Sequence, residues 1–119
     1  KVFGDGLQLR DFNYVDDCVK ALLLAGTKDD ANGKVYNLGS TEVIGLKDLA
    51  ELMISLGLDG NYEIVPFPPE RKSIDIGDYY SDFSLITNEL GWLPTIKLRN
   101  GLKQTLDYYV TNHSHYWSE

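Results

Sequence analysis

The sequence predicts a mixed α/β (α+β) domain. Short runs of alternating side chains interchange with longer runs in which apolar residues recur every three or four positions. Glycines and prolines punctuate these runs, with no linker, internal repeat or low-complexity tract between them. Hydrophobic residues make up 43% of the 119 positions and aromatics 12%, enough to bury one core, so a single domain over 1–119 is expected.

The elements follow in order. Lys1-Val2-Phe3 and Leu7–Tyr14 are extended runs flanking Gly4-Asp5-Gly6, and Asp-Gly between two such runs predicts a hairpin. Alternation along the second run puts Gln8, Arg10, Phe12 and Tyr14 on one face. Asp16 is placed to cap a helix, with Asp17 in its first turn and Val15, Val19, Leu22 and Leu23 at helical spacing. Gly26 is expected to end that helix. A polar loop leads to a short strand over Lys34–Leu38. Leu46, Leu49, Ala50 and Met53 predict a second amphipathic helix between Gly45 and Gly57. Tyr62–Phe67 reads as a strand stopped by Pro66, Pro68 and Pro69, and Ile74–Ile76 as an irregular extended piece. Asp82 opens a short helix that Gly91 stops, and a last helix spans Leu98–Asn112 with Leu102, Leu106, Tyr109 and Val110 on its apolar face. The tail from His113 to Glu119 is expected to fray.

Charge and composition exclude several functions. A formal net charge of -7 argues against nonspecific binding to nucleic acid or an anionic membrane, which needs a basic face. Cys18 is the only cysteine, so neither an intrachain disulfide nor a cysteine-built metal site is available. No apolar run approaches the ~20 residues of a membrane span. With no signal-peptide pattern, a cytoplasmic location is the expectation. The first residue is Lys1 and already reads as strand, which suggests part of a longer protein.

Chemistry-bearing residues are few. Gly4-Asp5-Gly6 lacks the third glycine of a phosphate loop, because position 9 is Leu and no helix follows. Arg10 carries a planar fork of donors that fits a phosphate or carboxylate. It is equally open to a salt bridge with Asp11, Asp16 or another acid. Arg71 and Lys72 are a second cationic point, either part of a solvated charged loop with Asp75 and Asp78 or a second ligand of the same anion. No catalytic constellation is evident. His113 and His115 fall in the tail, Asp16-Asp17 is explained by helix capping, and Cys18 by packing.

Several of these runs resemble one family. Gly4-x-Gly6-x-Gln8-x-Arg10-Asp11-Phe12-x-Tyr14-Val15-Asp16-Asp17 is similar to the opening of the substrate-binding half of extended short-chain dehydrogenase/reductases, the NAD-dependent nucleotide-sugar epimerases and dehydratases. Val35-Tyr36-Asn37-Leu38-Gly39 resembles the family's VYNxG strand. Ile74–Asp82 resembles its segment ending in a helix-starting aspartate. Leu90-Gly91-Trp92-x-Pro94 resembles its LGWxP turn, and Gly101-Leu102-x-x-Thr105 its terminal-helix GLxxT. Two positions depart from the pattern: Leu85, where a basic residue is frequent, and Gly45, where Ser or Thr is usual.

The resemblance implies that 1–119 is a small C-terminal substrate-binding domain lacking the Rossmann half. It implies that Arg10 and Arg71 contact the diphosphate of a nucleotide sugar, with Lys72 competing for the second place. Gln8 would border the nucleotide, and Asp78 would lie near the ribose or the second arginine. NAD would be held by the missing half, together with the Tyr-x-x-x-Lys pair, which no tyrosine here completes. The chain alone would then be inert, and part of a UDP-glucose 4-epimerase-like enzyme. A 4,6-dehydratase, a reductase and a stand-alone binding module are the alternatives. Without its Rossmann partner, the surface around Val19, Leu23, Val35 and Tyr36 would be exposed and prone to self-association.

Overall fold

The computed structural model describes residues 1–117 and has the mixed α/β architecture. Two small sheets are joined by helices. Strand β1 (Val2–Phe3) pairs in parallel with β4 (Ile64–Val65), and β2 (Leu9–Asp11) pairs antiparallel with β3 (Val43–Gly45). Helix α1 spans Val15–Thr27, α2 Leu46–Ser55, α3 Pro69–Lys72, α4 Ser84–Leu90, α5 Leu98–Thr111 and α6 His113–Tyr116.

The predicted hairpin does not form. Gly4 and Gly6 do make a turn, with φ of +79° and +73°. The strands on either side of it take partners far along the chain. Val2–Phe3 gains a ladder with β4, and Leu9–Asp11 one with β3, so the turn hands the chain from one sheet to the other. Lys34–Leu38 forms no ladder, because no strand lies beside it among the described residues. Ile74–Ile76 forms no strand either and is exposed. The run Tyr62–Phe67 is reduced to Ile64–Val65.

Local signals place the helices well. Helix α2 begins after Gly45 and ends two residues before Gly57, and α4 stops at Gly91 in the left-handed region. Asp82 accepts the Ser84 amide at 2.8 Å and so opens α4. Asp16 does not cap α1. The N-cap is Tyr14, without a side-chain bond, and both aspartates sit in the first turn. Their charge there favours the helix dipole. The tail does not fray where it is described. Tyr109 packs edge-on against Tyr116, at 5.1 Å between ring centroids, and His113 stacks on Trp117 at the same distance. Ser118 and Glu119 lie outside the described residues.

The core is small: Ala21, Ala31, Ile86, Leu90 and Trp92, with Leu24, Ala25, Tyr36, Leu38 and Phe83 packed against it. Helix α1 therefore carries two stripes. Asp17, Ala21, Leu24 and Ala25 face the core, whereas Val15, Val19, Leu22 and Leu23 face outward and are exposed. Val35 is 84% exposed, and Tyr36 is half-buried. The radius of gyration is 17.1 Å, against about 13.5 Å for a compact domain of this length. The fold is less compact than that, and these apolar residues are exposed.

Candidate functional site

The Gln8–Arg10 stretch anchors the site. Strand β3 holds one edge of β2, with Arg10 opposite Ile44. The segment 77–79 lies along the other edge. Tyr79 donates its amide to the Leu9 carbonyl at 3.0 Å, and Asp78 Oδ1 accepts the Leu9 amide at 2.8 Å. Arg10 Nη1 donates to the carbonyls of Leu9 and Gly77. Neither its Nε nor its Nη2 has an acceptor among the described residues.

The salt-bridge alternative for Arg10 is not realised. The ion pairs among the described residues are Lys20–Asp17, Lys34–Glu89, Lys47–Glu51 and Lys103–Asp107. Asp11 is occupied elsewhere: its Oδ2 accepts the amides of Ser40 at 3.0 Å and Ser81 at 3.1 Å. Gly39 makes this possible. A Cβ there would lie 2.8 Å from both that oxygen and the Ser81 carbonyl. Asp11 thus clamps two segments, at Ser40 and Ser81, to the strand that presents Arg10.

Gln8 and Arg71 each contact Phe3. Gln8 Nε2 donates to the Phe3 carbonyl at 3.2 Å, and the Arg71 guanidinium lies 5.4 Å from the centroid of the Phe3 ring. Phe67 packs against the same ring at 5.8 Å. Gln8 Oε1 is buried without a donor. Such an atom is costly unless something pairs with it. It lies beside a pocket of about 280 Å³ lined by Lys1, Phe3, Phe67 and Asp75. Lys72 is exposed on α3 next to Arg71. Of the four residues singled out in the sequence, Arg10 and Asp78 both bond to the backbone of Leu9, whereas Gln8 bonds to the backbone and Arg71 lies over the ring of Phe3.

Sequence reasoning missed two residues here. Phe3 offers its carbonyl to Gln8 and its ring to Arg71, and an aromatic one position before the Gly4-Asp5-Gly6 turn was its only signal. Asp17 is fully buried. Its Oδ2 accepts the amides of Thr95 and Ile96, both at 2.8 Å, and its Oδ1 accepts the Thr95 hydroxyl at 2.7 Å. Lys20 approaches Oδ1 at 3.4 Å. Burial pushes this carboxyl up, but the donors from Ile96, Thr95 and Lys20 together hold it below the ordinary carboxylate range. Trp92 donates its indole N–H to the Asp17 carbonyl at 2.9 Å. Asp17 thus does more than start a helix: it fastens α1 to the Trp92–Ile96 turn.

Other candidates for chemistry fall away. Burial and the neighbouring Asp17 push the Cys18 thiol up, away from a reactive thiolate. No group of three or more His, Cys, Asp or Glu side chains among the described residues could hold a metal. No helix among them is long and apolar enough to cross a membrane. The Gly4–Gly6 turn is not a dinucleotide loop: it runs into β2 instead of a helix, and Leu9 stands where a third glycine would be.

The model of the NAD dependent epimerase/dehydratase family matches residues 1–39. GDP-mannose 3,5-epimerase 1 of Oryza sativa subsp. indica is 39% identical over 106 residues, which cover 88% of this chain and 26% of that protein. A dTDP-glucose 4,6-dehydratase of Haemophilus influenzae is 33% identical, over 95% of this chain and 36% of the other. The crystal structure of UDP-glucose 4-epimerase with UDP-glucose from Thermotoga maritima superposes with a TM-score of 0.81 at 32% identity, covering 94% of this chain and 35% of that one. The chain spans 26–36% of the length of these relatives.

Proposed function

We propose, from the premise that this chain belongs to the NAD dependent epimerase/dehydratase family, that it supplies the nucleoside-diphosphate grip of a UDP-glucose 4-epimerase-like enzyme. Arg10 and Arg71 are the two diphosphate ligands, Gln8 borders the nucleotide, and Asp78 stands beside Arg10 through its bond to Leu9. One observation carries the reading. Arg10 is fixed through Nη1 on a strand, and its Nε–Nη2 edge is left without a protein acceptor among the described residues. That edge is a preformed bidentate donor for a phosphate.

The grip acts at a distance from the chemistry. Binding energy from the nucleoside diphosphate places the sugar carbon against groups on another part of the protein. NAD, the family's cofactor, is held by that other part in this reading, since the Gly4–Gly6 turn is no dinucleotide loop. The chain alone is inert in this reading; NAD-dependent turnover of a nucleotide sugar by 1–119 would contradict it. The open apolar surface around Val19, Leu23 and Val35 supports part of an enzyme over a self-contained binding module.

The diphosphate reading is tested by titrating UDP and uridine into the chain. UDP is expected to bind at least about tenfold more tightly, because charge-assisted bonds contribute roughly 1.5–3 kcal/mol each. Equal affinities would remove the diphosphate from the site. A second reading, part of a 4,6-dehydratase, is favoured by the 33% identity to the Haemophilus influenzae enzyme. It shares the grip and differs in product, so incubating the whole protein with a nucleotide sugar separates the two: an inverted sugar or a 4-keto-6-deoxy sugar.

A further inference from the structure

Among the described residues, strand β2 has a full strand, β3, on one edge and on the other a single parallel bridge between Arg10 and Tyr79. On the other edge, the backbone groups of Leu9 would meet water or a neighbour. Its amide meets a side chain: Asp78 Oδ1, at 2.8 Å. Its carbonyl takes the Tyr79 amide at 3.0 Å and Arg10 Nη1 at 2.7 Å. The same Nη1 donates to Gly77, the residue immediately before Asp78. A carboxylate oxygen therefore stands where the carbonyl of a neighbouring strand would be. It sets the register of a three-residue strip whose first carbonyl holds the arginine.

We propose that Asp78 is a positioning residue that seats Arg10, acting through its hydrogen bond to Leu9 and not through contact with the ligand. This rests on the reading of Arg10 as a diphosphate ligand. Charge gives the proposal a direction. A carboxylate close to a diphosphate site repels the phosphates, so its negative charge is no asset for binding. Its value is as an acceptor, which an amide retains. Asp78→Asn keeps the acceptor and removes the repulsion; Asp78→Ala removes both. If Asp78 instead held a ribose hydroxyl as a charged acceptor, Asn would weaken binding.

Two readouts test this on wild type, Asp78→Asn and Asp78→Ala. The first is the rate at which phenylglyoxal modifies Arg10, mapped by mass spectrometry, with exposed Arg71 and Arg99 as internal references. Arg10 is expected to react slowly in wild type and Asp78→Asn, and at least about threefold faster in Asp78→Ala, the scale of one lost hydrogen bond. The second is UDP affinity. Asp78→Ala is expected to bind about three- to tenfold more weakly, and Asp78→Asn as tightly as wild type or more tightly. Unchanged Arg10 labelling in Asp78→Ala would overturn the proposal. So would an Asn variant that loses UDP affinity as fully as the Ala variant. If UDP binds none of the three proteins, the diphosphate reading fails by itself, and the labelling rates alone decide whether Asp78 seats Arg10.

Discussion

Replacing Asp17 by Ala removes the acceptor of two amides and a hydroxyl from a fully buried position. Each buried donor left unpaired costs about 1–3 kcal/mol. Water entering the space left by the carboxylate recovers part of that, giving a loss of about 2–4 kcal/mol. Against a total stability of about 5–15 kcal/mol this is a large share. Asp17→Asn is milder. Its oxygen can keep the Thr95 and Ile96 amides while its NH2 donates to the Thr95 hydroxyl, so only the charge assistance is lost, about 1–2 kcal/mol. Urea unfolding followed by tryptophan fluorescence is the assay, because buried Trp92 donates to Asp17 itself. With a slope of about 1.5 kcal/mol per molar, Ala shifts the midpoint down by roughly 1.3–2.7 M and Asn by about half that. The wild type adds a pH signature. The folded Asp17 carboxyl lies below its ordinary value of 3.8. Its contribution is therefore complete above that value and disappears as pH falls through the lower folded one. A midpoint for Asp17→Ala within about 0.3 M of wild type would refute the reasoning, as would an acid limb unchanged by the substitution.

Two further outcomes are expected. Tyr36 donates to Glu89 at 2.7 Å, and that bond, with partial burial and the charge of Glu89, raises its phenol to about 12; Tyr36→Phe should delete the most alkaline component of the 295 nm tyrosine titration, and an unchanged titration would contradict the bond. Exposed Val19, Leu22, Leu23 and Leu93 should drive self-association at micromolar concentrations, abolished by Val19→Glu with Leu23→Lys; a wild-type monomer by light scattering would count against it.

The sequence was most legible where structure is local. Glycine at 45, 57 and 91 marks helix ends that need only their own neighbours to form. It was least legible where partners are distant. Nothing near Gly4-Asp5-Gly6 says that β1 pairs with Ile64–Val65 and β2 with Val43–Gly45. Asp17 looked like a helix-opening residue because its acceptor role depends on Thr95 and Ile96, brought to it by the core. Val19 and Leu23 have helical periodicity, but periodicity does not tell which of two apolar stripes meets the core. The candidate site was partly legible. Alternation put Gln8 and Arg10 on one face. The Phe3 ring under Arg71, and the carboxylate that bonds to the Leu9 amide, follow from tertiary packing alone.

The central claim is that Arg10 grips a diphosphate, and calorimetric titration of UDP into wild type and Arg10→Ala tests it most directly. Loss of a bidentate charge-assisted contact worth roughly 1.5–3 kcal/mol should weaken binding about 10- to 150-fold. The difference should shrink as salt is raised, because part of it is screened. Equal UDP affinities in the two proteins would contradict the claim.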